Sequence, residues 1–287
     1  MAEFDARALL TTDDATVWDV VCPGRHAHPS EEECTSSTYF VFPYRGVYIH
    51  HVGRGTTIAE ANQVVVLNED EPYRVSHPVA GGDAGLSISV APGTLAELAP
   101  AHYRHPSGKA ALNLSHLRVD VGAQSSATQL RQRLRRGTVD TLEAEILTIE
   151  LIRRALGRRT AHRATGSASR RRLVDRAKLV IASEPGRRWT LDQIAGEVSA
   201  SPVYLTQVFR QVEGVPLYKY QLQLRLARAL NLLQDSDDLA RLAVELGFSS
   251  HSHFSSAFKK AYGHTPAALR RSARQGTPLT LADRSDH

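Results

Sequence analysis

Residues 242–266 read LAVELGFSSHSHFSSAFKKAYGHTP, and this stretch decides the fold of the C-terminal part of the chain. An apolar pattern with helical spacing runs up to Gly247, which predicts a short helix that ends on a left-handed residue. Phe254 and Phe258 are four residues apart, so they share one face of a second helix. Two short helices joined by a tight turn form a helix-turn-helix unit.

The same pattern occurs twice. Residues 191–216, called copy one, align with residues 239–266, called copy two, at offsets of 48 in the first helix and 49 in the second. Such a repeat indicates two related helix-turn-helix units. The aligned positions are Leu191, Ile194, Ala195, Val198, Leu205, Phe209 and Gly214 in copy one, and Leu239, Leu242, Ala243, Leu246, Phe254, Phe258 and Gly263 in copy two.

The turns of the two copies differ in sequence. Ser201 is placed to cap the second helix of copy one, and Ser249 or Ser250 is the equivalent in copy two. Copy one has Ser199 and Ala200 near the position of Gly247, so its turn is predicted less directly than that of copy two.

Two further helices are predicted around the copies. Residues 170–183 have helical apolar spacing up to Pro185, which cannot continue a helix. Residues 217–233, between the copies, predict a helix about 25 Å long. Such a rod can hold two recognition helices about one DNA turn apart, so that both enter major grooves on one face of a duplex.

The stretch 242–266 closely resembles the C-terminal signature of the AraC/XylS family of transcription regulators, and the resemblance covers about residues 170–272. It implies a DNA-binding transcription regulator, an activator or a repressor, that works with RNA polymerase and is preceded by a cupin-like effector-binding and dimerisation domain. By the same resemblance, the DNA-contacting residues are Pro202, Val203, Tyr204, Thr206, Gln207, Arg210, His251, Ser252, Ser255, Ser256 and Lys259.

The chemistry of these side chains divides them into two groups. Gln207 can bond to adenine in a bidentate way, and Thr206 can offer its methyl group to thymine. Arg210 and Lys259 are suited to phosphate contacts, which position a protein without reading sequence. The helix of copy two, rich in Ser and His, is expected to read little sequence.

The N-terminal half predicts a different architecture. Short β-branched and aromatic runs separated by turn residues suggest an antiparallel β-barrel with flanking helices, so the whole chain is expected to be α+β. The expected strands are residues 16–22, 38–42, 46–52, 63–68, 73–77 and 85–90. The barrel interior is the expected place for a small-molecule effector, which the sequence does not identify.

Two helices follow these strands and are separated at Gly137. The second, residues 139–156, carries an apolar stripe that includes Leu142, Ile146 and Ile149. The stripe predicts either a contact with a second copy of the chain, giving a homodimer, or a cover for the barrel.

Composition supports a division of the chain into two parts. Residues 1–157 carry 14 Lys and Arg against 19 Asp and Glu, whereas residues 158–287 carry 21 against 11. The net charges of −5 and +10 place any affinity for a polyanion in the second part. We expect an effector-binding and dimerisation domain at 1–157, a flexible linker at 158–169, a DNA-binding domain at 170–275 and a disordered tail at 276–287.

Metal and thiol chemistry stay open in the first part. His26, His28, Glu33 and His77 resemble the metal set of cupins in outline, although ordinary exposed or hydrogen-bonded histidines are the alternative. Cys22 and Cys34 are either a redox or metal sensor or two core thiols. No cofactor is therefore predicted, and the alternative to a regulator is a cupin-type metal-binding protein or enzyme with an accessory DNA-binding module.

Other classes of protein have no support in the sequence. There is no phosphate-binding glycine loop, pair of catalytic carboxylates or nucleophile elbow, so we do not expect an enzyme. The sequence shows neither a signal peptide nor a run of about 18 apolar residues, and only two cysteines. We expect a cytoplasmic protein without membrane contact.

Overall fold

A computed structural model describes residues 4–24, 26–104, 111–157 and 167–275. The chain divides into two compact units, residues 1–162 and residues 163–287. Most of the expected linker and the whole expected tail lie outside the described residues. The first helix of the second unit begins at Ala168, where a linker had been expected.

The described residues of the first unit form nine strands. They are β1 Asp5–Thr11, β2 Ala15–Cys22, β3 Tyr39–Arg45, β4 Tyr48–Val52, β5 Gly55–Ala59, β6 Gln63–Leu67, β7 Tyr73–Ser76, β8 Asp83–Val90 and β9 His116–Arg118. Six of them form a sheet in the order β1-β2-β8-β3-β6-β9, and three form a second sheet in the order β5-β4-β7. All the pairings are antiparallel.

The expectation of a closed barrel is corrected by this topology, because the described strands form two open sheets. Closure would require the edge strands of the larger sheet to find partners. Instead, β1 pairs only with β2 and β9 pairs only with β6, while β4 uses both of its edges on β5 and β7.

Three α-helices complete the described part of the first unit, namely α1 Pro92–Leu98, α2 Val121–Arg136 and α3 Thr141–Leu156, and Ala101–Tyr103 forms a short 3-10 helix. The side chain of Asp120 caps α2 and that of Asp140 caps α3. Between them, Gly137 ends α2 with a φ of 62°. The inner face of α3, with Leu151 and Ile152, packs into the same apolar core as the larger sheet.

The second unit is helical throughout its described part. Its helices are α4 Ala168–Ser183, α5 Leu191–Glu197, α6 Pro202–Glu213, α7 Leu217–Leu232, α8 Leu239–Glu245, α9 His251–Tyr262 and α10 Pro266–Gln275. Copy one is therefore α5 and α6, copy two is α8 and α9, and α7 lies between them as expected. Within the described ranges, no helix combines the length and apolar content that crossing a bilayer requires.

Candidate nucleic-acid interface

Copy one is held by caps at both of its helices. Thr190 and Gln193 form a reciprocal capping box at the start of α5. Ser201 caps α6 by accepting a hydrogen bond from the Tyr204 N–H at 3.3 Å, as predicted. Between the helices, Ser199 adopts a φ of 56°, a left-handed conformation that L residues other than glycine rarely take. Copy one thus makes its turn without glycine.

Copy two uses the same geometry with glycine at the turn. Gly247 has a φ of 79°, as the sequence predicted. Of the two candidate caps, Ser250 accepts from the His253 N–H, while the Ser249 hydroxyl lies 2.9 Å from the His253 Nδ1. The two turns are therefore equivalent in backbone conformation and different in residue type.

The inner faces of α6 and α9 are buried by different side chains. Leu205 and Phe209 of α6 lie in a mainly aliphatic core with Ile194 and Ala195 of α5. In α9, Phe254 and Phe258 are fully buried and pack edge-on, with ring centroids 5.7 Å apart. Phe248 and Tyr262 extend this aromatic row. Each second helix is thereby fixed with one face toward solvent.

The outward face of α6 carries the residues expected at the DNA. Val203 is 69% exposed and Tyr204 46% exposed, while Pro202 is half-buried. Gln207 and Arg210 are exposed, and their side chains make no hydrogen bond or ion pair with any described residue. The Thr206 hydroxyl donates to the Pro202 carbonyl within the helix, which leaves the methyl group as its other contact surface.

The outward face of α9 carries shorter side chains than that of α6. His251, Ser252, Ser256 and Lys259 are exposed, whereas Ser255 is half-buried. The Ser255 hydroxyl lies 3.4 Å from His251 Nε2. This face therefore offers short side chains, with Lys259 as the cation among the five predicted residues of α9.

A brace connects the two copies. The Arg188 side chain, just before α5, donates to the backbone carbonyls of Gly247 and Phe248 in the turn of copy two. From α7, Arg225 donates to the Arg187 carbonyl at 3.2 Å. The chain approaches so closely that a Cβ on Gly247 would lie 2.7 Å from the Gly186 oxygen. The brace fixes the turn of copy two against the loop that precedes copy one.

Copy one also contains buried charges. Lys178 of α4 and Glu213 at the end of α6 form an ion pair of 2.5 Å, with side chains only 3% and 10% exposed. Burial raises the pKa of the neighbouring Asp175 to about 6, with Lys178 opposing and Glu213 adding to that rise. The end of α6 is thus tied to α4 by charge as well as by apolar packing.

A model for a helix-turn-helix domain matches residues 194–272, which spans both copies. The regulatory protein of the msm operon from Streptococcus mutans is 30% identical over 112 residues, 39% of this chain and 40% of that protein. The transcriptional regulator ArgR from Pseudomonas aeruginosa is 32% identical over 135 residues, 47% of this chain and 41% of that protein. The chain thus spans about two fifths of the length of these curated relatives.

A solved structure of a transcriptional regulator with an AraC-type DNA-binding domain, from Chromobacterium violaceum, is 31% identical. The match covers 38% of this chain and 98% of that one, with a TM-score of 0.35. The second unit therefore carries an AraC-type helix-turn-helix domain, and the repeat, the caps and the brace all lie in that unit.

Outside the AraC-type region, the cupin-like metal set is not assembled. His26 and His28 are exposed, and Glu33 lies 3.4 Å from the Tyr73 hydroxyl. Only His77 joins a potential ligand group, together with Cys22 and Asp83, which the sequence interpretation missed. The sequence contained only a partial signal, two predicted strands of which the first ends at Cys22 and the second begins at Gly85, and it did not predict that they pair.

The two cysteines of the first unit have different surroundings. Both are free. Cys34 is exposed, so it is not a core thiol, whereas Cys22 is half-buried. Burial raises the pKa of the Cys22 thiol, with a hydrogen bond from Gly24 opposing the rise.

Proposed function

We propose that this chain regulates transcription by binding double-stranded DNA with α6 and α9 in two successive major grooves. The observation that carries the proposal is the division of both helices into a buried inner face and a solvent-facing outer face. The net charge of +10 on residues 158–287 supports attraction to the phosphate backbone. The family match supports the same activity.

Copy one would supply most of the sequence reading. Gln207 has the length and the paired donor and acceptor to bond adenine, and its side chain is exposed without a partner among the described residues. Thr206 presents a methyl group one residue away. Arg210, two turns after the start of α6, would contact phosphate and set the position of the helix in the groove.

Copy two would mainly position the protein. The short side chains of His251, Ser252, Ser255 and Ser256 reach less far into a groove, and Ser255 is half-buried. Lys259 would contact phosphate. Copy two would therefore add affinity that depends on salt more than on base sequence.

The first unit would serve as the effector-binding and dimerisation part. We infer a cupin-like arrangement of its two sheets, with a small-molecule effector between them. Leu142 and Ile146 of α3 are 69% and 51% exposed, while Ile149 is half-buried. Their exposure supports a contact with α3 of a second copy in a homodimer. An activating contact with RNA polymerase is proposed from the family resemblance.

The DNA contacts are tested by recovering DNA fragments bound to the full chain in cells and measuring binding to the enriched duplex. Gln207→Ala should reduce discrimination at one base pair by about 1–3 kcal/mol, because a bidentate contact is lost. Arg210→Ala should instead weaken cognate and scrambled duplexes equally and lower the salt slope by about 1.

Arg54→Ala, in the turn between β4 and β5 of the first unit, is the matched control for lost positive charge and should change neither property. If Gln207→Ala weakened binding to cognate and scrambled DNA alike, the assignment of base reading to Gln207 would be wrong.

The dimer is tested by sedimentation of the full chain. Ile146→Glu places a charge in the exposed stripe of α3 and should shift the chain to monomers. Phe4→Glu changes another exposed apolar residue of the first unit and should leave the dimer intact. A wild-type chain that is monomeric at micromolar concentration would contradict the inferred role of the stripe.

A further inference from the structure

Three potential metal ligands of the first unit meet at one point. Cys22 is the last residue of β2, and it pairs directly with Asp83, the first residue of β8. His77 follows β7, and its Nε2 lies 2.6 Å from Asp83 Oδ2. One ligand atom from each of the three side chains lies within 4.8 Å of the other two. Among the described residues, this is the one group of three or more His, Cys, Asp or Glu side chains that lie close enough together to hold a metal ion.

The group is largely shielded from solvent. The His77 and Asp83 side chains are 6% and 12% exposed, and Cys22 is half-buried. The ring of buried Tyr48, from β4, lies 6.2 Å from the His77 ring. The Gly24 N–H donates to the Cys22 sulfur. Such backbone hydrogen bonds to sulfur and such packing around a histidine are what orients the ligands in metal sites.

The backbone around the group is held by glycines at close approach. Gly24 and Gly82 both have a φ of 65°. A Cβ on Gly82 would lie 2.2 Å from the Cys22 oxygen, and one on Gly24 would lie 2.6 Å from the Gly82 Cα. Since only glycine fits both positions, the segments carrying the three ligands are fixed before any ion arrives.

The donor atoms select the class of ion. A thiolate sulfur, an imidazole nitrogen and a carboxylate oxygen are the ligands of Zn²⁺, whereas Mg²⁺ and Ca²⁺ take oxygen ligands. In a tetrahedral zinc site the bond lengths place donor atoms about 3.3–3.6 Å apart. His77 Nε2 and Asp83 Oδ2 are 2.6 Å apart, and the other pairs of ligand atoms are at most 4.8 Å apart. Small side-chain rotations bring all three distances into that range.

We propose that Cys22, His77 and Asp83 bind one Zn²⁺ ion. On binding, the Cys22 thiol gives its proton to solvent and the sulfur bonds to the ion. The proton in the hydrogen bond between His77 Nε2 and Asp83 Oδ2 passes through solvent to His77 Nδ1, so that Nε2 and the Asp83 carboxylate can each bond to the ion. No group is oxidised or reduced. The ion ties β2 and β8 of the larger sheet to the end of β7 in the smaller one. Three protein ligands leave a fourth position open to water or to a donor atom of an effector.

The test uses the full chain, freed of metal with a chelator and then titrated with Zn²⁺ against a chromophoric chelator. One ion per chain should bind, and the melting temperature should rise because the ion binds the folded state. Co²⁺ in place of Zn²⁺ should give the absorption band of a thiolate bound to cobalt. A wild-type chain that binds no Zn²⁺, or whose Co²⁺ complex lacks this band, overturns the proposal without any variant.

Variants then assign the ligands. Cys22→Ser should abolish the cobalt–thiolate band. Each of the variants Cys22→Ser, His77→Gln and Asp83→Asn should weaken Zn²⁺ binding by about 10-fold to 100-fold or more. Cys34→Ser removes the other cysteine, which is exposed, and should leave the band and the affinity unchanged. A band that persists in Cys22→Ser and disappears in Cys34→Ser overturns the assignment. Circular dichroism of each variant shows whether a loss of binding comes from a loss of fold.

Discussion

Copy one and copy two have the same backbone plan and different chemistry. Both begin their second helix with a serine cap, and both turn through a left-handed residue. Copy one fills its core mainly with aliphatic residues and adds a buried ion pair, whereas copy two uses a row of aromatic rings. The comparison teaches that the caps and the turn specify the helix-turn-helix, while core and outer face are free to diverge.

Substitutions in the cores of the two copies should cause the largest losses in the free energy of unfolding. Phe254→Ala removes a fully buried ring that contacts Phe248 and Phe258, and should lower the free energy of unfolding by about 3–5 kcal/mol. Leu205→Ala, at the equivalent position of copy one, should cost about 2–5 kcal/mol. Urea unfolding measures both changes. Val203→Ala, on the exposed face of α6, is the control and should stay within about 0.5 kcal/mol.

Substitutions in the two turns should change the free energy of unfolding in opposite directions, and the change at the glycine of copy two should be the larger. Gly247→Ala forces an L residue to a φ of 79° and places a Cβ 2.7 Å from the Gly186 oxygen. We expect a loss of about 1–3 kcal/mol in unfolding free energy. Gly196→Ala in α5 is the matched control, since a Cβ there meets nothing within 4 Å and should stabilise the helix by about 0.5–1 kcal/mol. Equal losses in both variants would contradict this explanation.

The buried charges of copy one should make stability depend on pH. Because the folded-state pKa of Asp175 is about 6, above its ordinary value of 3.8, the folded protein holds this proton more tightly than the unfolded chain. Stability from this group is therefore present at low pH and is lost as pH rises from about 4 to about 6. Asp175→Asn should raise the unfolding free energy at pH 7 by on the order of 1 kcal/mol.

Urea unfolding of Asp175→Asn at pH 5 and pH 7 measures this contribution. Asp235→Asn, at an exposed aspartate near the end of α7, should change neither value by more than about 0.5 kcal/mol. A variant of Asp175 that is less stable than wild type at pH 7 would show that its charge stabilises copy one.

The smallest effect should come from the turn of copy one. Ser199→Gly removes the cost of a left-handed serine, about 1–2 kcal/mol, and adds the entropy that glycine loses on folding. The net gain should be about 0.5–1 kcal/mol, visible as a higher melting temperature. Destabilisation by this change would mean that the serine side chain, and not its backbone conformation, matters for the turn.

Much of the second unit was predictable because its signals are local. Helical spacing predicted α7 to within one residue of its observed bounds, and the cap serines predicted where α6 and α9 begin. The left-handed conformation of Gly247 followed from its residue type. That of Ser199 did not, because only the surrounding helices force a serine into that region.

The first unit was less predictable because strand pairing is not local. β1 alternates poorly, β5 follows directly on a tight turn, and β9 has only three residues. The division into two sheets depends on which edges pair, and residue patterns do not encode that choice. The meeting of Cys22 with Asp83 depends in turn on the register of β2 and β8.

The bonds from Arg188 to the turn of copy two have a consequence for evolution of the binding site. When two DNA-contacting helices are held at a fixed distance and rotation, binding is less sensitive to a substituted base than to an inserted one. One added base pair between the half-sites turns the second by about a tenth of a revolution of the helix. Under the binding mode proposed above, the DNA sites should therefore vary in base sequence while keeping a constant spacing, and a change in that spacing should require a change at Arg188 or at its carbonyl acceptors.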